Sequence, residues 1–342
     1  MDGAVTLRLN LALQGGGAHG AFTWGVLDRL LEEEGIEVAA LSGTSAGALN
    51  AAAFKAGMIA GGRQGAKDSL ATLWAQVANV GDFRMARWMQ PFWTASRLMT
   101  DAVETAFPVS PQGLAAQVWS PYSWGPFWEN PLEPVVRRLD FSHVCRSEGP
   151  RLFVGATNVR TGRIRVFEGD DLTPEALLAS ACLPTVFQAV TIDGETFWDG
   201  GYSGNPALYP LYAPDLPDDI VIVSINPWLR DQVPMSPLDI QNRINEISFH
   251  AALLGELRAI KFVKRLIAEG RMERGQMKDV LLHLIADDAL MTDLSAGTKL
   301  SPNPGLIARL HDAGRAATEA FLARHRHDLG QRASLDLTAL FA

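Results

Sequence analysis

The apolar positions of the first 60 residues fall into short blocks separated by glycines. Residues 6–13 (TLRLNLAL) predict a strand that runs into the loop Gly15-Gly16-Gly17-Ala18-His19-Gly20. A helix is expected over about residues 20–34. Phe22, Val26, Leu27, Leu30 and Leu31 make its apolar stripe, and Gly35 follows Glu32-Glu33-Glu34 as a stop. Residues 38–42 predict a second short strand, which ends in Gly43-Thr44-Ser45-Ala46-Gly47. Small residues then continue as a helix to about Gly57. Strand, loop, helix, strand, turn, helix is the alternation of a largely parallel α/β sheet.

Further along, strand-like runs return at 151–158 (RLFVGATN), 163–167 (RIRVF), 220–225 (IVIVSI) and 280–286 (VLLHLIA). Helices are expected near 173–182, over about 237–269 and near 303–325. The stretch 80–130 breaks the pattern. Six of the nine tryptophans (Trp74, Trp88, Trp93, Trp119, Trp124 and Trp128) fall at 74–128, and prolines accompany them. It reads as an irregular insert: a lid facing lipid, or rings packing an irregular core. No internal repeat or low-complexity tract interrupts the chain.

Composition narrows the class. A chain of 342 residues, 47% hydrophobic, can bury a large core without disulfides or metals. The net charge of −8 argues against a nucleic-acid binder. The two cysteines, Cys145 and Cys182, form no CxxC or Cys/His cluster, so no metal or cofactor is expected. The N-terminus lacks the build of a signal peptide, and no run of about 18 apolar residues is present. A cytoplasmic protein, with peripheral membrane contact as an option, is the expectation. Oligomeric state is not legible.

Three motifs carry candidate chemistry. In Gly43-Thr44-Ser45-Ala46-Gly47, flanking glycines permit the tight strand-to-helix turn that presents a serine hydroxyl as a nucleophile. The loop Gly15-Gly16-Gly17, with Gly20 at the helix start, offers successive N–H groups as an anion cradle. The same glycines satisfy G-x-G-x-x-G, a dinucleotide signature. That reading needs an acidic residue at the end of the second strand, where this chain has Ser42-Gly43-Thr44-Ser45. Asp199-Gly200-Gly201, followed by Asn205-Pro206, suits a tight turn with an unblocked carboxylate. A plain surface turn is the alternative.

Together and in this order, the three motifs resemble the patatin-like phospholipase family, over about residues 7–226. Residues 179–187 (ASACLPTVF) resemble that family's block before its catalytic aspartate. The resemblance implies a three-layer α/β/α sandwich with a central, mainly parallel sheet. Residues 237–342 look like the C-terminal extension of a bacterial branch, expected to pack on the catalytic domain. Many relatives carry arginine where this chain has His19.

The resemblance further implies a two-residue mechanism. Ser45 would attack an ester carbonyl, Asp199 would take its proton, and the Gly15, Gly16 and Gly17 amides would hold the oxyanion. Lipids are the implied substrates: phospholipid, lysophospholipid or acylglycerol. Hydroxyacid oligoesters, acyl transfer to another alcohol, and a non-catalytic lipid-binding module are the alternatives. Within hydrolases the competitor is a Ser-His-Asp triad, for which His250 or His283 would be the histidine. Ser45 stands early in the chain for that fold. The basic residues Arg258, Lys261, Lys264 and Arg265 of the long helix suit either a solvated face or anionic headgroups.

Overall fold

The computed structural model describes residues 6–81, 83, 121–122, 129–230, 233–235, 237–273, 275–294 and 297–341. Most of the tryptophan-rich insert, including Trp88, Trp93, Trp119, Trp124 and Trp128, lies outside them. Trp74 is a core residue instead, its indole N–H donating to Asn50 Oδ1 at 2.9 Å.

One eight-stranded sheet organises the chain. It comprises β1 (Leu7–Leu13), β2 (Ile36–Gly43), β3 (Arg151–Asn158), β4 (Ile164–Phe167), β5 (Val190–Ile192), β6 (Glu195–Asp199), β7 (Asp219–Val223) and β8 (Leu281–Ile285). The order is β5-β6-β3-β2-β1-β7-β8, with β4 paired to β3. Strands β3, β2, β1, β7 and β8 run parallel, while β4 and β6 pair antiparallel with β3. The chain first builds leftward from β1 and later returns on its right with β7. The end of β1 is therefore a topological switch point, where open α/β sheets place their ligands.

Helices cover both faces. Leu9, Leu11 and Leu13 of β1, with Val221 and Val223 of β7, face one core. It is roofed by α1 (Gly20–Leu30), α2 (Ala46–Ala78), α3 (Pro174–Ser180) and α5 (Pro304–His325). Ala12 of β1 and Ile220 and Ile222 of β7 face the other core, closed by Leu253, Leu257 and Ile260 of α4 (Pro237–Ala268). Period-two alternation thus sends neighbouring residues of one strand into two hydrophobic layers. Each fully buried leucine contributes about 1.5–3 kcal/mol relative to exposure. The architecture is a three-layer α/β/α sandwich.

Two local features differ from the sequence reading. Helix α2 does not stop at Gly57, because that glycine serves close packing: a Cβ there would collide with the Gly65 carbonyl. The break comes at Gly61 and Gly62, which leave helical geometry, and a second helical stretch continues to Ala78. The strands β5 and β6 form a hairpin whose turn residues, Asp193 and Gly194, both have positive φ. Asp-Gly between β-prone residues is the sequence signal for such a turn.

The C-terminal part is built into this body. It supplies β8 at the sheet edge, and α5 crosses α1 at van der Waals distance. A Cβ on Gly25 would strike the His311 carbonyl, and one on Gly314 the Phe22 carbonyl.

Candidate active site

Three chain segments meet at the carboxyl ends of the central strands. The first follows β2. Ser45 occupies φ 54°, ψ −123°, a region L-residues rarely enter. Its surroundings over-determine that conformation. The Ser45 N–H donates to Ser180 Oγ at 2.9 Å, and Ser180 Oγ donates to the Gly155 carbonyl at 2.6 Å. Gly43 and Gly47 let the turn close: a Cβ at Gly43 would press on the Gly47 backbone, and one at Gly47 would collide with the Leu13 carbonyl. Helix α2 starts directly after Ser45 and directs its positive dipole end at this position.

The second segment follows β1. Gly15 abuts the serine, for a Cβ added to it would lie 2.7 Å from Ser45 Cβ. Gly20 is equally crowded, 2.6 Å from the Ala46 side chain by the same measure. The Gly15 N–H donates to Asn205 Oδ1 at 2.6 Å. That amide is committed, so a cradle of three free donors is reduced to the Gly16 and Gly17 N–H groups, which make no hydrogen bond among the described residues. His19 is buried, and its Nε2 pairs with Thr298 Oγ1 at 2.7 Å. Burial, then the Lys299 charge, lower its pKa to about 3, so the ring is neutral.

The third segment follows β6, where Asp199 faces Ala156 of β3. Asp199 is 1% exposed. Its Oδ1 accepts from the Gly201 N–H at 2.8 Å, and Oδ2 has no hydrogen-bond partner among the described residues. Burial raises the carboxyl pKa to about 7, with the Gly201 N–H and the nearby Ser45 hydroxyl pulling the other way. The hydroxyl thus lies near enough to favour the carboxylate, without a hydrogen bond of standard geometry between them. Gly200 lets the turn pass under the Gly155 carbonyl, where a Cβ would collide, and Gly201 lies against the Phe249 ring, 2.9 Å from a Cβ placed there. Asn205 precedes Pro206 through a cis peptide bond. Thr44 Oγ1 donates to the Gly204 carbonyl at 2.7 Å and Ser42 Oγ to that of Ala207 at 2.5 Å, tying the serine turn to the aspartate loop.

Neither triad histidine joins this group. His283 Nε2 pairs with Asp219 Oδ1 and Nδ1 with Ser334 Oγ, both at 2.9 Å. Asp219 opens β7, so this pair belongs toward the opposite end of the strands. His250 stacks on Trp228 with ring centroids 4.6 Å apart, and burial and Lys299 lower its pKa to about 4. Among the described residues, no histidine hydrogen-bonds Ser45 or Asp199. Cys182 lies beside the site, its carbonyl accepting the Asp199 N–H at 2.8 Å. Burial and the Asp199 charge push its thiol up to about 12, so it is no nucleophile.

Ser180, Asn226, Phe249 and Lys299 were not singled out by the sequence. Ser180 lies within the block 179–187, whose resemblance to the family's segment before its aspartate was its signal. The other three lie beyond the motifs and carry none.

A mostly parallel sheet between two helical layers thus carries, at one end, a serine on a strained strand-to-helix turn beside a buried carboxylate and a glycine loop. The model of the family described as patatin-like phospholipase matches residues 11–212, more than half of the chain, and the chain belongs to that family. No curated protein matches it. Among solved structures, the crystal structure of VipD from Legionella pneumophila is similar at 18% identity and a TM-score of 0.42, covering 93% of this chain and 67% of that one. The family match sets aside the dinucleotide reading of the glycine loop. The family acts on lipid substrates, and this protein is a lipid acyl hydrolase in that general sense.

Proposed function

We propose that the protein cleaves acyl esters of phospholipids, lysophospholipids or acylglycerols through a Ser45–Asp199 dyad. The observation that carries this reading is the buried Asp199 carboxylate near the Ser45 hydroxyl, its Oδ2 without a hydrogen-bond partner among the described residues. An ordinary carboxylate, with a pKa of about 3.9, is a poor base toward a hydroxyl. Burial brings Asp199 near neutrality, where it is both ionised and basic enough to act.

Ser45 Oγ attacks the ester carbonyl while its proton passes to Asp199 Oδ2. The carbonyl oxygen becomes an oxyanion facing the Gly16 and Gly17 amides and the start of α2. Asp199 then returns the proton to the leaving alcohol as the C–O bond breaks, and the acyl group remains on Ser45. Water, deprotonated by Asp199, releases the carboxylic acid and restores the serine. An alcohol in place of water would give acyl transfer by the same steps.

A peripheral lipid contact fits the surface next to the site. Ile240, Ile244 and Ile247 lie exposed along α4, and Leu229, Val233 and Met235 are exposed just before it. The buried side of the same helix places Phe249 against Gly201 and Tyr202. An exposed apolar stripe on the helix whose buried side borders the site suits a lipid surface that presents the substrate.

The test is covalent labelling with a fluorophosphonate, together with a panel of lipid and soluble esters. Wild-type protein should label once, at Ser45, and hydrolyse part of the panel. The Ser45→Ala protein should do neither, and hydrolysis surviving in it would refute the dyad.

A further inference from the structure

The glycine loop is gripped from two sides by asparagines. Asn205 Oδ1 takes the Gly15 N–H, and Asn226 Nδ2 donates to the Gly15 carbonyl at 2.9 Å and to Gln14 Oε1 at 3.2 Å. The second grip works only if the Asn226 amide presents its NH2 to the loop. Its other end, Oδ1, faces Lys299 Nζ at 3.0 Å. An ammonium donates and never accepts, so Lys299 permits only the amide orientation that aims Nδ2 at Gly15.

Lys299 is itself held in place. Its ammonium lies 3.4 Å from Glu246 Oε1, and Glu246 also pairs with Arg230 at 2.8 Å and Arg243 at 3.3 Å. Burial raises the Glu246 pKa, but Arg230, Lys299 and Arg243 bring it down to about 2, so the carboxylate stays charged. The backbone around Lys299 closes on the same loop. Gly17 has φ +59° and lies so near the Lys299 carbonyl that a Cβ would collide with it. The adjacent residue, Thr298, meets His19.

We infer that Lys299, from the C-terminal part of the chain, is a positioning residue for the glycine loop. By fixing the Asn226 amide it holds the Gly15 peptide, and with it the Gly16 and Gly17 amides, in the attitude the oxyanion requires. This rests on the dyad reading above. It ties Asn226 and Lys299, both beyond the three motifs, to the hydrolytic site.

The test uses the full chain and a 4-nitrophenyl ester of a short fatty acid, with kcat expressed per Ser45 site titrated by fluorophosphonate. Lys299→Met is expected to lower kcat about 10- to 100-fold, as a small misplacement of reacting groups does, with little change in KM. Lys299→Arg, which also only donates, should recover most of the rate. Asn226→Asp, which loses the donor to Gly15, should fall similarly, and the double variant should be no worse than the poorer single one. Should Lys299→Met fail to fold, Lys299→Leu, which likewise carries no donor, takes its place with the same expectation. Wild-type kcat per titrated site in the variant that folds overturns the inference, as does a loss that Lys299→Arg shares in full. Activity surviving Ser45→Ala would instead remove the underlying dyad, and this inference with it.

Discussion

The N–H of Gly15 donates to Oδ1 of Asn205 at 2.6 Å, across 190 positions of the chain. One bond thereby ties the loop after β1 to the loop after β6, the two segments that flank Ser45. Asn205→Ala leaves that buried N–H without an acceptor, at a cost of about 1–3 kcal/mol. It also frees the loop. The expected result is a lower midpoint in denaturant unfolding and a kcat reduced about 10- to 100-fold on a soluble ester.

Asp199→Asn keeps the shape of the side chain and removes its basicity. Turnover should fall by about 10²–10⁴-fold, with circular dichroism unchanged. Near-wild-type turnover would exclude Asp199 as the base.

The raised pKa of Asp199, about 7, makes two opposite pH dependences. The base must be ionised, so kcat/KM should fall about tenfold per pH unit below neutrality and level off above it. Stability moves the other way. The folded state holds a proton that the unfolded carboxyl, with a pKa of about 3.9, has already released. Stability is therefore lost as pH rises from about 4 to about 7, by a sum on the order of 4 kcal/mol, and is constant beyond. A neutral amide at this position carries no such penalty, so the gain in Tm from Asp199→Asn should be larger at about pH 8 than at about pH 5. An equal gain at both would mean that the carboxyl titrates normally.

At Gly47 two effects compete. Alanine is the better helix former by about 1 kcal/mol. Its methyl, however, would be driven into the Leu13 carbonyl, a backbone atom of the central strand that cannot move aside. Overpacking of this kind costs about 1–3 kcal/mol. Gly47→Ala should lower stability in urea unfolding and displace Ser45 enough to slow fluorophosphonate labelling.

Ile244 and Ile247 are 51% and 54% exposed on α4. Replacing both with aspartate leaves the core intact. Sedimentation with phospholipid vesicles should show weaker binding, and hydrolysis of vesicle lipid should drop while hydrolysis of a soluble ester stays level. Parallel losses on both substrates would assign that face to folding or to a second copy of the chain.

Local chemistry made a large part of this protein legible before any fold was known. Alternating apolar runs placed β1, β2, β3 and β7, and the stripe of Phe22, Val26, Leu27 and Leu30 placed α1, because side-chain periodicity follows directly from backbone geometry. Gly43 to Gly47 announced a tight turn around Ser45, since only glycine tolerates such crowding on both sides. Other features depend on atoms far apart in sequence. Gly57 reads as a helix stop, yet it is a packing glycine because Gly65 folds back upon it. Gly15 reads as a free donor, yet Asn205 arrives from 190 positions away to accept its hydrogen bond. The pKa of Asp199 exists only once a core closes over the carboxylate. Lys299 carries no local pattern, and its place beside the glycine loop appears only when the C-terminal part is packed against the turn after β1. Periodicity and steric need are properties of neighbours along the chain, whereas desolvation and hydrogen-bond commitment are properties of neighbours in space.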